Sequence, residues 1–170
     1  MQGISADTVF GMLASYGLFS AGLLNHYAIQ KLGAFVIPIS SASTDKTIDL
    51  LDDYSINATA AVTSYYLYLI NRIKEMGYSK DNFNLKIAIA GGEPFTENQR
   101  VYIENNLGVE LLDQYGISEI NTGLAGECKF KNGLHILADY AYPEIVDPKT
   151  EKVCGEDETG ELVLTTLTKR

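Results

Sequence analysis

The stretch "LKIAIAGGEPFTENQRVYIENNLGVELLDQYGISEI", Leu85–Ile120, decides the reading of the fold. "LKIAIAGG" is a short apolar run that ends on two glycines. "TENQRVYIENNLG" is a helical segment capped by Thr96 and closed by Gly108, and "VELLDQYG" is a second buried run. Strand, helix and strand in this order make one unit of a parallel sheet. The second strand ends unusually: Asp113, Tyr115, Ser118 and Glu119 place a carboxylate, a phenol, a hydroxyl and a second carboxylate within seven residues.

The same rhythm runs upstream. "TVFGMLAS" reads as a buried strand, "YGLFS" as a turn, and "AGLLNHYAIQKLGA" as a helix that Gly33 stops. "FVIPIS" suits a parallel strand, and Ser43 or Thr44 can cap the helix "DKTIDLLDDYS". "ATAAVTS" is the next strand and "YYLYLINRIKEMG" the next helix. After Glu119 the rhythm changes. "GLAGECKF", "GLHILADY", "YPEIVD" and "GELVLTTLT" are short runs separated by the turn signals "KNG", "DPKT" and "GEDETG". The expected fold class is α/β: a largely parallel sheet with alternating helices, followed by short antiparallel strands beside it. No linker, repeat or low-complexity segment divides residues 1–170, and an ending on "TTLTKR" directly after a strand is expected of a piece of a larger unit.

Composition narrows the function. Thirteen Lys and Arg against 22 Asp and Glu give a net charge of -9, which repels phosphate backbones and argues against nucleic acid and anionic membrane as partners. ATP remains compatible, because a metal ion and backbone N–H groups bind phosphates without side-chain cations. Two cysteines make no disulfide framework, and the N-terminus lacks the basic and apolar regions of a signal peptide, so a cytoplasmic setting is expected. The sequon Asn57-Ala58-Thr59 is then a chance match, and "VFGMLASYGLFSAGLL" is shorter than the roughly 20 residues of a membrane helix.

In open parallel sheets, ligands bind beyond the carboxyl ends of the strands. Three such ends stand out: "SYGLFS", "AGGEPFTE" and "DQYGISE". Gly91 and Gly92 would let a flat ligand approach the backbone, Glu93 can accept a hydrogen bond, and Pro94 stiffens the turn. Tyr115 can stack on a base, Ser118 can donate to a phosphate, and Glu119 suits Mg²⁺, which prefers hard oxygen ligands. The plainer alternative treats each motif as a strand-to-helix turn, with Ser118 and Glu119 capping a short helix. On the residues alone both readings stay open.

Taken in order, "YGLFSAGLLNHYAIQKLGAFVIPIS", "LKIAIAGGEPFTENQR", "LLDQYGISEI", "GECKFKNGLHI", "PEIVDPKTEKV" and "GELVLTTLT" resemble the phenylacetate–CoA ligase family of adenylate-forming acyl-CoA synthetases, over essentially the whole chain. The resemblance implies that residues 1–170 are part of the large N-terminal adenylation (AMP-binding) domain. A phosphate loop would lie upstream, and a ribose-binding Asp and a mobile C-terminal domain with a catalytic Lys would lie downstream. It also implies that a carboxylic acid is activated with Mg-ATP to an acyl-adenylate and transferred to CoA. In that scheme Gly91, Gly92, Glu93 and Pro94 line the adenine pocket, and Asp113, Tyr115 and Gly116 continue it. Ser118 lies near the α-phosphate or acyl carboxylate, and Glu119 holds Mg²⁺. Tyr16, Gly17, Phe19, Ser64 and Tyr65 fall where relatives build an aryl-acid pocket. Departures from the family pattern at Thr63-Ser64-Tyr65-Tyr66, Gly92 and Ala138 leave the acid itself open.

Cys128 and His135 form C-x6-H, half of a structural zinc site that the resemblance implies only where further cysteines follow. Otherwise they are a free thiol and a structural histidine. His26 reads as partly buried packing, and Asp52-Asp53 as a solvated surface. A homodimer is a candidate assembly. Two other functions compete: a nucleotide-binding or regulatory module without chemistry, and an α/β interaction domain whose motifs are only turns.

Overall fold

The computed structural model describes residues 2–167. In chain order these form β1 (Val9–Met12), α1 (Ser20–Lys31), β2 (Phe35–Ile37), α2 (Thr44–Asp53), β3 (Ala58–Ala61), α3 (Thr63–Glu75), β4 (Ile87–Gly91), α4 (Glu97–Leu107), β5 (Glu110–Ile117), β6 (Asn121–Gly126), β7 (His135–Ile136), β8 (Ala141–Val146) and β9 (Glu161–Thr166). One seven-stranded sheet runs β2-β1-β3-β4-β5-β6-β7. β1 to β5 pair in parallel, and β6 and β7 extend the sheet antiparallel.

The helices begin and end where side-chain chemistry dictates. Ser43 caps α2 by accepting from the Lys46 N–H, so Thr44 becomes the first helical residue. Thr96 and Gln99 form a reciprocal capping box at α4, and Gly108, left-handed at φ 69°, closes it. α3 starts at Thr63, earlier than its apolar pattern suggests, because β3 stops at Ala61.

Alternation along the strands sends side chains to two faces. On one face Leu51, Ile56, Tyr66, Ile70, Ile103, Leu107 and Leu111 join Ala88 and Ala90 in the larger core, beneath α2, α3 and α4. The alanines keep the central strands thin, so the helices sit close to them. On the other face Phe10, Met12, Val36, Ala60 and Ile89 meet Ile29 of α1. α1 buries only Gly22 and Ile29 and leaves Leu23 47% and Tyr27 61% exposed, so its apolar residues do not form one buried stripe.

Beyond Gly116 the expected pattern needs correction. β5 continues to Ile117 and turns straight back into β6, so no helix follows this strand end for Ser118 and Glu119 to cap. Gly116 is required by that reversal: a Cβ there would lie 2.5 Å from the Gly123 nitrogen. Of "GLHILADY" only His135–Ile136 is strand, and "GLAGECKF" contributes to β6 only as far as Gly126. β8 and β9 form, as expected, an antiparallel pair, which makes a separate two-stranded sheet. Thr168, the last residue of the expected final strand, lies outside the described residues.

A buried ion pair fastens the antiparallel strands to the parallel ones. The Arg100 guanidinium on α4 donates to both Glu127 carboxylate oxygens at 3.0 and 2.8 Å and to the Leu111 carbonyl at 2.6 Å. Glu127 in turn accepts from the Asp113 N–H at 2.7 Å, while its own N–H donates to the Asp113 carbonyl. Arg100 is 7% exposed and Glu127 5%. Burial pushes the Arg100 guanidinium down, but the hydrogen bonds and charge of Glu127, helped by Glu97, outweigh it and hold the group above its ordinary range. Glu127→Ala is therefore expected to cost about 3–5 kcal/mol in urea unfolding, because it strands a buried cation. Replacing both partners, as in Arg100→Met with Glu127→Leu, should recover most of that loss. Equal losses in the single and double variants would show that the pair is not the coupled unit described.

Candidate functional site

The strand ends at β4 and β5 lie side by side, with Ala90 opposite Asp113 and Gly91 opposite Gln114. The two motifs read from the sequence are thus neighbours in space. Their glycines do different work. A Cβ at Gly91 would press to 2.9 Å on the Gln114 carbonyl, so that position serves strand pairing. Gly92 has φ +81° and is exposed. A Cβ there would meet only a Val62 methyl, at 3.6 Å, so its backbone is open to a flat ligand. Pro94 and Tyr115 are also exposed along this rim.

Glu93 reaches across to α3. Its carboxylate accepts from the Ser64 N–H at 2.9 Å and from the Ser64 hydroxyl at 2.8 Å, which ties the turn after β4 to the first helical turn after β3. Ser64 therefore joins the Glu93 turn directly. Beside it, the buried Thr63 hydroxyl has no hydrogen-bond partner among the described residues.

Asp113 is half-buried. Burial first, then the charge of Glu127, holds its carboxyl above the usual carboxylate range. Gln2 donates to its carbonyl at 3.2 Å, so the backbone around Asp113 is held from two directions.

At the end of β1, the Tyr16 hydroxyl and the His26 Nδ1 lie 2.8 Å apart, with the rings in an edge contact, and burial raises the Tyr16 phenol. Gly17 and Phe19 follow in the loop, Phe19 being 73% exposed. Ser20 bridges this loop to the β5–β6 turn, lying 3.2 Å from the Ser118 hydroxyl and 2.9 Å from that of Thr122. Tyr65 belongs elsewhere: its hydroxyl donates to Thr47 on α2 and its ring packs on the larger core, whereas Tyr16 packs on the smaller one. The two rings expected to wall one acid pocket are thus anchored on opposite faces of the sheet. Glu119 occupies the exposed turn between β5 and β6.

Cys128 and His135 do come together, with Sγ and Nε2 3.2 Å apart. Among the described residues no group of three or more His, Cys, Asp or Glu side chains could hold a metal. Two donors do not make a four-ligand zinc site. The requirement for Mg²⁺ is lighter, since that ion keeps several waters and takes one or two carboxylates beside substrate phosphates. The residues that sequence reading missed are Ser20, Thr122, Arg100 and Glu127, none of which lies in a motif with its partner.

A parallel sheet with its polar loops gathered at the carboxyl ends of the strands defines an α/β ligand-binding domain. The chain belongs to the AMP-binding enzyme family, whose model matches residues 3–167. It is 42% identical over 156 residues to a phenylacetate–coenzyme A ligase of Pseudomonas putida and 40% identical over 157 residues to one of Escherichia coli (strain K12), in each case over 91% of this chain. The chain spans about 36% of the length of these curated relatives. A crystal structure of 2-hydroxyisobutyryl-CoA ligase in complex with 2-HIB-AMP and CoA superposes with a TM-score of 0.91 at 21% identity, over 97% of this chain and 37% of that one, and shares its fold. Among the described residues no helix is long and apolar enough to cross a membrane.

Because the Asp113 carboxyl titrates above its unfolded value, its ionised form is the disfavoured one in the folded chain. The penalty is present at neutral pH and vanishes as pH falls below the unfolded value of about 4. Asp113→Asn is expected to raise the melting temperature at pH 7, with the gain shrinking toward pH 4. Parallel thermal melts across that range check it, and a difference independent of pH would contradict it.

Proposed function

We propose that this chain is the central part of the adenylation domain of an AMP-forming acid–CoA ligase acting on an aryl or related carboxylic acid. The observation that carries the reading is the pairing of β4 with β5, which sets the Gly91–Pro94 turn beside Asp113–Glu119 in a member of the AMP-binding family. The relatives named as phenylacetate–coenzyme A ligases support the reaction class.

In the reaction so proposed, a carboxylate oxygen of the acid attacks the α-phosphorus of ATP and the bond to pyrophosphate breaks. The sulfur of CoA then attacks the acyl carbon and AMP leaves. Gly92 and Tyr115 would bind the adenine through open backbone and an aromatic face, with Glu93, Pro94, Asp113 and Gly116 shaping the same wall. Ser118 would donate to an α-phosphate oxygen, and Glu119 would hold Mg²⁺, which supplies charge neutralisation when bound. Tyr16, Gly17 and Phe19 would face the acid. Ser64 would act through Glu93, and Tyr65 through the packing of α3. Where the whole protein carries further cysteines, Cys128 and His135 would supply half of a structural zinc site, and otherwise they are a free thiol and a structural histidine. The acid, ATP and CoA are the proposed partners, in the cytoplasm, without nucleic acid or membrane, and a homodimer is the assembly to test.

Two measurements test this. Calorimetric titration of the complete protein that carries this segment with AMP should give saturable binding of one equivalent, and no heat with AMP would leave the fold without its proposed ligand. In the complete protein that carries this segment, Glu119→Gln should lower Mg-dependent adenylation at least about a hundredfold, the loss expected when a group that helps neutralise transition-state charge is removed. Its melting temperature should hardly change, because Glu119 is exposed on a turn. Near-normal pyrophosphate release would reject the metal role.

A further inference from the structure

Three hydroxyls meet where two distant parts of the chain converge. Ser20 opens α1, Ser118 lies in the β5–β6 turn, and Thr122 is the second residue of the return strand. Ser20 is fixed in place by its backbone. Two residues on, a Cβ at Gly22 would lie 2.3 Å from the Ser15 carbonyl, so the start of α1 is pressed directly on the loop after β1. Ser118 and Thr122 are fixed by the tight reversal that Gly116 permits. No side chain caps α1 at Phe19, so the Ser20 hydroxyl stands outside the usual capping role.

The proton count gives the cluster a direction. Ser20 donates its one hydroxyl proton to Ser118 at 3.2 Å. It therefore cannot donate to Thr122 as well, and the 2.9 Å contact is a donation from Thr122 to Ser20. The order is Thr122 to Ser20 to Ser118, and the proton at the end of the chain, on Ser118, is the one not used within it. Hydrogen bonds aligned in one sense polarise each other and strengthen the terminal donor. An acceptor beyond Ser118 would meet that donor beside the N-terminal end of a 12-residue helix, an environment that favours negative charge.

We propose that Ser20 is a positioning residue that, fed by Thr122, orients the Ser118 hydroxyl as a donor to the phosphate of a bound adenylate. This rests on the nucleotide reading above and gives a role to a residue that the resemblance assigned none. A purely structural role, in which the hydroxyls only fasten α1 to the hairpin, predicts loss of stability without any preference between ligands that differ only in phosphate.

Calorimetric titration of the complete protein that carries this segment with AMP and with adenosine separates these cases. The wild type should bind AMP more tightly than adenosine. Ser20→Ala should weaken AMP about threefold to tenfold, the effect of one neutral hydrogen bond, and leave adenosine unchanged. Ser20→Thr keeps the hydroxyl and should keep the AMP affinity. Thr122→Val should shift AMP binding in the same direction as Ser20→Ala by a smaller factor. Unchanged adenosine binding also shows that each variant is folded. If Ser20→Ala retains the wild-type ratio of AMP to adenosine affinity, the positioning role is wrong while the nucleotide site stands. If the wild type binds both equally, Ser118 does not meet the phosphate and the inference falls. If it binds neither, the nucleotide reading fails and takes the inference with it.

Discussion

The Arg100–Glu127 pair is the constraint on which the rest of this structure turns. Bringing two charges out of water costs several kcal/mol per ion, and only good geometry offsets that. Here the guanidinium meets the carboxylate on two parallel bonds, stacks 4.8 Å from the centre of the Phe95 ring, and reaches the Leu111 carbonyl. Each partner sits on a different element: α4 belongs to the parallel half, and Glu127 follows β6 of the antiparallel half. The pair is satisfied only when β5 and β6 are in register, since Glu127 also bonds both backbone groups of Asp113. An out-of-register hairpin would bury an uncompensated charge. The ion pair thus selects one arrangement of the strand that carries Asp113, Tyr115 and Ser118.

The parallel half was legible because its signals are local. Apolar runs, glycine stops and capping residues such as Thr96 act over a few residues, and each strand-helix unit declares itself within about thirty. The antiparallel half was less so. Gly116 reads as a break, yet the strand passes through it, because the residue is small to admit the returning backbone at Gly123 and not to end the strand. Likewise the runs around β8 and β9 read as antiparallel strands, but nothing in their composition says which strands they pair with. The pairing of Arg100 with Glu127 spans 27 residues and leaves no periodic trace.

The site divides the same way. The motifs around Gly91 and Tyr115 were readable as short clusters, and the parallel register sets them side by side. The contacts that organise them were not. Glu93 to Ser64 crosses 29 residues, and Ser20 to Thr122 crosses 102. Tyr16 and Tyr65 show the converse limit: both follow strand ends in sequence, but Tyr65 lies on α3, which covers the larger core, whereas Tyr16 lies in the loop that leads to α1 on the other face.

That separation bears on how the site can move. Three helices cover one face of the sheet, while among the described residues α1 alone packs on the other, beside a cleft of about 270 Å³ lined by Phe10, Ile29, Ile89, Gln114 and Ala125. The Gly91–Pro94 turn is tied to α3 on the densely covered side through Glu93, so it shares the stability of the larger core. Tyr16, in the loop before α1, and His26 and Ser20, on α1 itself, are carried by the thinly covered side, where that helix has two buried residues. Local opening follows buried apolar contact, and it is easiest where that contact is sparse. The wall proposed for adenine is therefore the rigid one, and the groups proposed to meet the acid and phosphate are those whose positions depend on a few hydrogen bonds across to the β5–β6 turn.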